Sequence, residues 1–272
     1  MILRGLVNSV LSRTVGRLRY QRHFNTLLDI AHRGMNYRSG DFRTSGELSV
    51  ITLLADRARQ REEPVVVFDI GANVGAYAVE LARAFDKDRT RIFCFEPSTV
   101  TFAKLQQETA AFENVSAHPL GFSRAPGTRQ LFSSAENSGL SSVYQRDLSA
   151  VGIKLEKSEE IVVATVDDFC REHGIHQIEF MKIDVEGHEL DVLAGAQGMV
   201  AGGRLNHVQF EFGEADIDSR HYLRDFYGAL PGYDFYRVVR DGLAPLGDYR
   251  QEYEIFKTVN FLAQRRTRHL PL

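Results

Sequence analysis

Two clusters in this chain combine side-chain types and spacings that can do chemistry. The first runs Val66-Val67-Phe68-Asp69-Ile70-Gly71-Ala72-Asn73-Val74-Gly75 and is followed by Phe93-Cys94-Phe95-Glu96-Pro97. A β-branched run ending in an acid and a D-x-G-x-N-x-G turn reads as a buried parallel strand entering a loop where glycine admits close backbone approach. A helix follows whose N-terminal amides favour anionic groups. Glu96, at the tip of the next strand, is placed to accept hydrogen bonds from a ribose diol. The expected ligand is therefore a nucleoside. A dinucleotide fingerprint needs its second glycine two residues after the first, and Asn73 stands there instead. Asp69 would repel a pyrophosphate but suits an ammonium. That combination favours S-adenosylmethionine over NAD. The cofactor-side candidates are Asp69, Gly71, Asn73, Gly75 and Glu96, with Phe122 and Ser123 on the adenine side.

The second cluster follows the strand Ile178-Glu179-Phe180-Met181-Lys182-Ile183 and reads Asp184-Val185-Glu186-Gly187-His188-Glu189-Leu190. Ligands of open α/β sheets bind beyond the carboxyl ends of strands, so these groups should face the same crevice as Asp69 and Glu96. Asp184 lies at the strand tip, and His188 is the residue of this cluster that titrates near neutrality. Glu186 and Glu189 also suit a first helical turn, where acids stabilise the dipole by ~0.3–1 kcal/mol with no chemistry implied. Glu211 and Glu214 extend the acidic rim from the next strand. Asp184, Glu186 and Glu211 offer an all-oxygen set for a divalent cation, or hydrogen-bond acceptors for a polyhydroxylated substrate. The second reading is favoured.

The segments D-I-G-A-N-V-G, F-E-P, K-I-D-V-E-G-H-E and V-Q-F-E-F resemble the FkbM family of S-adenosylmethionine-dependent methyltransferases. The likeness extends from about Asn36 to about Ala263 and includes Ser45-Gly46-Glu47. This resemblance implies a class I methyltransferase (Rossmann-like) α/β fold: a seven-stranded, mostly parallel sheet with helices on both faces. It also implies methylation of a hydroxyl on a sugar, glycan or secondary metabolite. Methyl transfer is an in-line displacement, so acceptor oxygen, methyl and sulfur must be aligned, and a hydroxyl of high pKa needs a base or a metal. Asp184 and His188 are the candidate catalytic residues. Asp184 has two other roles open to it, positioning the acceptor or contacting the cofactor's ammonium. Two further functions stay open: a non-catalytic nucleoside-binding or assembly protein on the same fold, and an NAD-dependent oxidoreductase, which Asn73 disfavours.

The elements that must position these groups alternate. Strands are predicted at about 65–70, 91–96, 115–119, 178–183 and 205–212, and helices at 48–59 (with Ser45 as cap), 74–86, 99–111, 188–200 and 219–229. Such β/α units imply right-handed crossovers and a parallel sheet. Strands near 233–239 and 255–263 are expected to close it as an antiparallel pair. Between Gly121 and Thr165 short alternating runs, Thr128–Ser133, Ser141–Tyr144 and Glu160–Ala164, predict a small β insertion. Its hydroxyl-rich stretch Ser134–Ser142 is either a lip over the site or an ordinary surface hairpin. The domain reading is an N-terminal helical extension over 1–60 and a methyltransferase domain over 61–265.

With 272 residues and 43% hydrophobic content the chain can bury a sizeable core, and its net charge of −3 gives no general attraction for nucleic acid. Cys94 and Cys170 lack metal-ligand spacing and are expected as small core residues. No apolar run approaches the ~20 residues of a membrane span, so the chain is expected to be cytoplasmic. Residues 1–28 depart from the even charge balance. They hold Arg4, Arg13, Arg17, Arg19 and Arg22 and no acid, with Ile2, Leu3, Leu6, Val7, Val10, Leu11 and Leu18 at helical spacing. A basic amphipathic helix is expected there. It would pack on the catalytic domain, the favoured reading, or lie on an anionic membrane surface, or act as a transit segment.

Overall fold

The computed structural model describes residues 12–61, 63–134, 138–149 and 152–266. The chain forms two compact units, 1–38 and 39–272. The described part of the first is dominated by α1 (Leu18–Gly34), and residues 1–11 of the expected basic helix lie outside the described residues.

In the second unit strands and helices alternate: α2 (Glu47–Arg59), β1 (Val65–Ile70), α3 (Ala76–Ala84), β2 (Thr90–Phe95), α4 (Thr99–Thr109) and β3 (Val115–His118). A separate three-stranded sheet follows, made of β4 (Gly121–Phe122), β5 (Gly127–Ser133) and β6 (Lys157–Ala164) in the order β4-β6-β5. The alternation then resumes with α5 (Val166–Glu172), β7 (Ile178–Ile183), α6 (Glu189–Ala194), α7 (Gln197–Ala201), β8 (Leu205–Phe212), α8 (Ala215–Ser219) and α9 (Leu223–Ala229). It ends with β9 (Tyr233–Val239), β10 (Gly242–Pro245) and β11 (Val259–Arg265).

The main sheet has the order β10-β9-β11-β8-β7-β1-β2-β3, parallel from β8 to β3, with β11 antiparallel to both β8 and β9. It therefore holds eight strands where seven were expected. The additional strand, β10, is four residues long, ends in Pro245 and pairs only with β9, as a proline-bearing strand must at a sheet edge. Two other expectations need correction. Helix α2 was assigned to an extension over 1–60, yet Val50, Ile51, Leu54 and Ala55 pack with Val67, Phe180 and Leu262 in the core beneath the sheet. The helix expected over 188–200 is two, α6 and α7, separated at Gly195, where a Cβ would come within 2.2 Å of the Ser123 carbonyl oxygen.

The opposite face of the sheet carries aromatic rings. Phe95 packs against Phe68, Phe122 and Phe169 at centroid distances of 5.1, 4.6 and 4.9 Å. Side chains alternate across a strand, so Phe68 faces these rings while Asp69 faces α2 and α3. Both cysteines are buried and free.

Candidate active site

The site is built where β1, β2, β7 and β8 end together. Gly71, with φ +81°, leaves β1 in a conformation that L side chains rarely adopt, and a Cβ there would stand 1.9 Å from the Asp184 carbonyl oxygen. The loops after β1 and β7 thus touch backbone to backbone. Asn73 also has positive φ, and its N–H donates to Glu96 Oε2 at 3.0 Å while Ser98 N–H donates to Oε1 at 2.9 Å. Both carboxylate oxygens are held, so Glu96 presents a fixed acceptor at the tip of β2. Burial pushes its pKa up to about 7 against the pull of those two amides.

Two clefts meet at this point. One is lined by Asn73 and Glu96 at its polar end and by Phe122, Leu131, Val143, Ile161 and Val163 along an apolar wall. The other is lined by Phe42, Tyr77 and Leu140 among apolar groups and by Glu47, Lys182, Glu211 and Glu214 among charged ones. Gly71, Asn73, Gly139, Asp184 and Glu186 belong to both. Asp184 and Glu186 therefore stand at the seam.

Register explains the company Asp184 keeps. Lys182 lies beside Asp69 on β1 and Gln209 on β8, so Asp184 and Glu211 emerge side by side two residues further on. Carboxylate oxygens of Asp184, Glu186 and Glu211 come within 4.8 Å of one another. Lys182 Nζ, almost fully buried, donates to Asp184 Oδ2 at 2.7 Å and sits 4.5 Å from the centroid of the Tyr77 ring. Although burial works against it, the carboxylates of Asp184, Glu47 and Asp69 hold its ammonium pKa above the ordinary lysine value. Glu47 closes the floor by accepting from Gln209 Nε2 at 2.6 Å and Asn260 Nδ2 at 3.2 Å. Burial, and then the charge of Asp184, push Glu186 up to about 7 and Glu211 well above the usual carboxylate range.

The remaining candidates fall elsewhere. Asp69 is wholly enclosed and lines neither cleft, its two oxygens have no hydrogen-bond partner among the described residues, and burial pushes its pKa up to about 6. Gly75 caps α3. His188 lines the Glu96 cleft and not the acidic one, with Nε2 3.1 Å from Ser123 Oγ and Nδ1 3.3 Å from the Tyr144 hydroxyl. Burial pulls its pKa down to about 4, so at neutral pH it is uncharged. Ser123 is buried against His188, and its neighbour Phe122 reaches the cleft.

Sequence reading passed over three groups here. Lys182 carried a signal, a lysine in a strand buried along its whole length. Arg146 and Tyr144 carried none that periodicity could expose. The Arg146 guanidinium pairs with Glu186 and lies 3.5 Å from Asp218, and Ser142 Oγ donates to the Glu186 carbonyl oxygen at 2.8 Å. Gly139 and Leu140 line the clefts as well. Residues 139–146 thus border the clefts as a lip whose base is an antiparallel bridge between Phe132 and Ser142, and residues 135–137 lie outside the described residues.

Comparison with known proteins adds an independent line. Residues 69–231 match the family described as methyltransferase FkbM domain. The chain is 30% identical over 164 residues to the hexuronic acid methyltransferase AglP of Haloferax volcanii, covering 58% of this chain and 59% of AglP. It therefore spans just under three-fifths of that relative's length. It is 22% identical to the 2-O-methyltransferase NoeI of Sinorhizobium fredii, over 64% of this chain and 74% of NoeI. A solved structure described as methyltransferase FkbM from Methylobacillus flagellatus shares 15% identity, with a TM-score of 0.43, over 78% of this chain and 47% of that one.

Proposed function

Because the chain belongs to the FkbM methyltransferase family, we propose that it transfers a methyl group from S-adenosylmethionine to a hydroxyl of a sugar or glycan. The observation that carries this reading is the meeting of two unlike clefts at Asp184. The residues of the first suit an adenosyl group: the held Glu96 carboxylate accepts a diol, and Phe122, Leu131, Val143, Ile161 and Val163 give an apolar wall for a base. Bound there, S-adenosylmethionine supplies an electrophilic methyl group. The second cleft offers apolar side chains, Phe42, Leu140 and Ile153 among them, beside carboxylates that accept from hydroxyls, as a sugar requires.

Asp184 is the group best placed to orient an acceptor hydroxyl and take its proton. One of its oxygens is tied to Lys182, and the residue borders both clefts. His188, on the Glu96 side, acts in this reading through its contacts with Ser123 and Tyr144, positioning the wall of that cleft. Asp69 adds negative charge beneath Lys182. Asp184, Glu186 and Glu211 are also the residues that would hold a divalent cation, since their oxygens are close enough to share one hard ion.

Calorimetry with S-adenosylhomocysteine, then transfer of a deuterated methyl group to a panel of neutral, amino and uronic sugars, tests the proposal. Asp184→Asn should keep the affinity for S-adenosylhomocysteine and lower kcat by ~10²–10⁴-fold. No binding, or a variant as active as the parent, would refute it. Loss of transfer in EDTA with recovery in Mg²⁺ would assign the three carboxylates to a cation.

A further inference from the structure

Helix α1 has an amphipathic surface, open among the described residues, that the acceptor chemistry does not use. At 100° per residue Tyr20, Phe24, Leu27, Leu28 and Ile30 fall on one side of it, Arg22 and Arg33 on the other, and Arg19 at the border beside Ile30. Among the described residues this apolar side is largely open: Leu27 is 60% exposed, Leu28 54% and Ile30 59%, while Tyr20 and Phe24 are half-buried. Arg13, Arg17, Arg19 and Arg22 are all exposed, and no acid lies between 13 and 22. The first acid of the helix, Asp29, is committed to Arg33 at 2.9 Å and Arg38 at 3.3 Å.

We propose that α1 is a surface-lying membrane contact that seats its Phe24–Leu27–Leu28–Ile30 side in an anionic bilayer and its arginines among the headgroups. Charge complementarity calls for an anionic partner. The apolar side selects a lipid surface over a nucleic acid, which would use the arginines and leave three large aliphatic groups in water. Seventeen residues at 1.5 Å rise span about 25 Å, short of a hydrocarbon core, and among the described residues no helix is long and apolar enough to cross a membrane. The helix lies on the surface and does not span it.

The chain has no tryptophan, so a single one introduced on α1 is an unambiguous reporter. In the full-length protein, Leu27→Trp should shift its emission to the blue with phosphatidylglycerol vesicles and be quenched by brominated acyl chains. Asn25→Trp, on the opposite side, should stay water-exposed, and pure phosphatidylcholine should leave both unchanged. Vesicle co-sedimentation should fall at least tenfold for Leu27→Asp/Leu28→Asp and also for Arg19→Glu/Arg22→Glu. Binding that survives the leucine changes would reduce the contact to charge alone and overturn the proposal. So would absence of vesicle binding, or a blue shift without lipid that grows with protein concentration and marks a second copy as the occupant. Unchanged affinity for S-adenosylhomocysteine in each variant shows that the larger unit is intact.

Discussion

Glu96 shows how much one side chain can be asked to do. Its two oxygens are occupied by backbone amides that shape the turn, yet the same carboxylate must accept a diol, and burial has raised its pKa to about 7. Hydrogen bonds from a ligand favour the ionised form, so a proton must leave before a diol can be held well. Affinity for S-adenosylhomocysteine should then be full at pH 8 and fall by up to about tenfold per unit below pH 7. Glu96→Gln should flatten that profile and cost ~1.5–3 kcal/mol of binding at pH 8. Calorimetry in buffers of different ionisation enthalpy checks both, and a pH-independent affinity in the parent would remove Glu96 from the ligand. The residue was legible in the sequence because it ends a strand one βα unit after the glycine turn. Asp69 was legible as an acid at a strand tip, but not as an enclosed one. Asp69 lies inside β1, one residue before its end, and pairing with Cys94 on β2 and Lys182 on β7 encloses it in a way that local sequence does not record.

Among the elements, the β/α alternation could be read because each buried strand is a dense apolar run bounded by turn residues. Strand β10 could not, since four residues ending in proline carry no periodic signal. The lip depends on contacts across the chain: Arg146 reaches Glu186, and Tyr144 reaches His188 and Asp191, over separations no local pattern records. The same holds for Glu47, which finds Gln209 and Asn260 from 162 and 213 residues away. The buried Arg146–Glu186 pair supplies the element-scale prediction. Arg146→Met keeps bulk but strands a carboxylate, and should destabilise the protein by on the order of 3 kcal/mol. Adding Glu186→Gln should restore part of that loss. Urea denaturation of the four members of this cycle reads the coupling, and additive losses would show that the pair does not hold the lip.

At the scale of the molecule, buried acids set how stability depends on pH. Asp69, Glu96 and Glu186 all have pKa values raised by burial, to about 6, 7 and 7. A carboxyl with a raised folded pKa binds protons more readily folded than unfolded, so its cost to stability grows as pH climbs from about 4 through the folded value. His188, whose pKa is pulled down to about 4, opposes this only as pH falls below about 6.5. The ligand-free protein should therefore melt at a higher temperature at pH 6.5 than at pH 8. A flat or inverted trend in scanning calorimetry would count against this reading of the carboxylates. The sheet order has a different bearing, on synthesis. Strand β11 sits between β8 and β9 although it follows both in the chain. As the chain leaves the ribosome, β8 carries an open, apolar edge and the β9–β10 hairpin has nowhere to dock until residues 259–265 arrive. For that interval the nascent protein displays a sticky strand, the form that a chaperone binds and that a stalled message would release to aggregate.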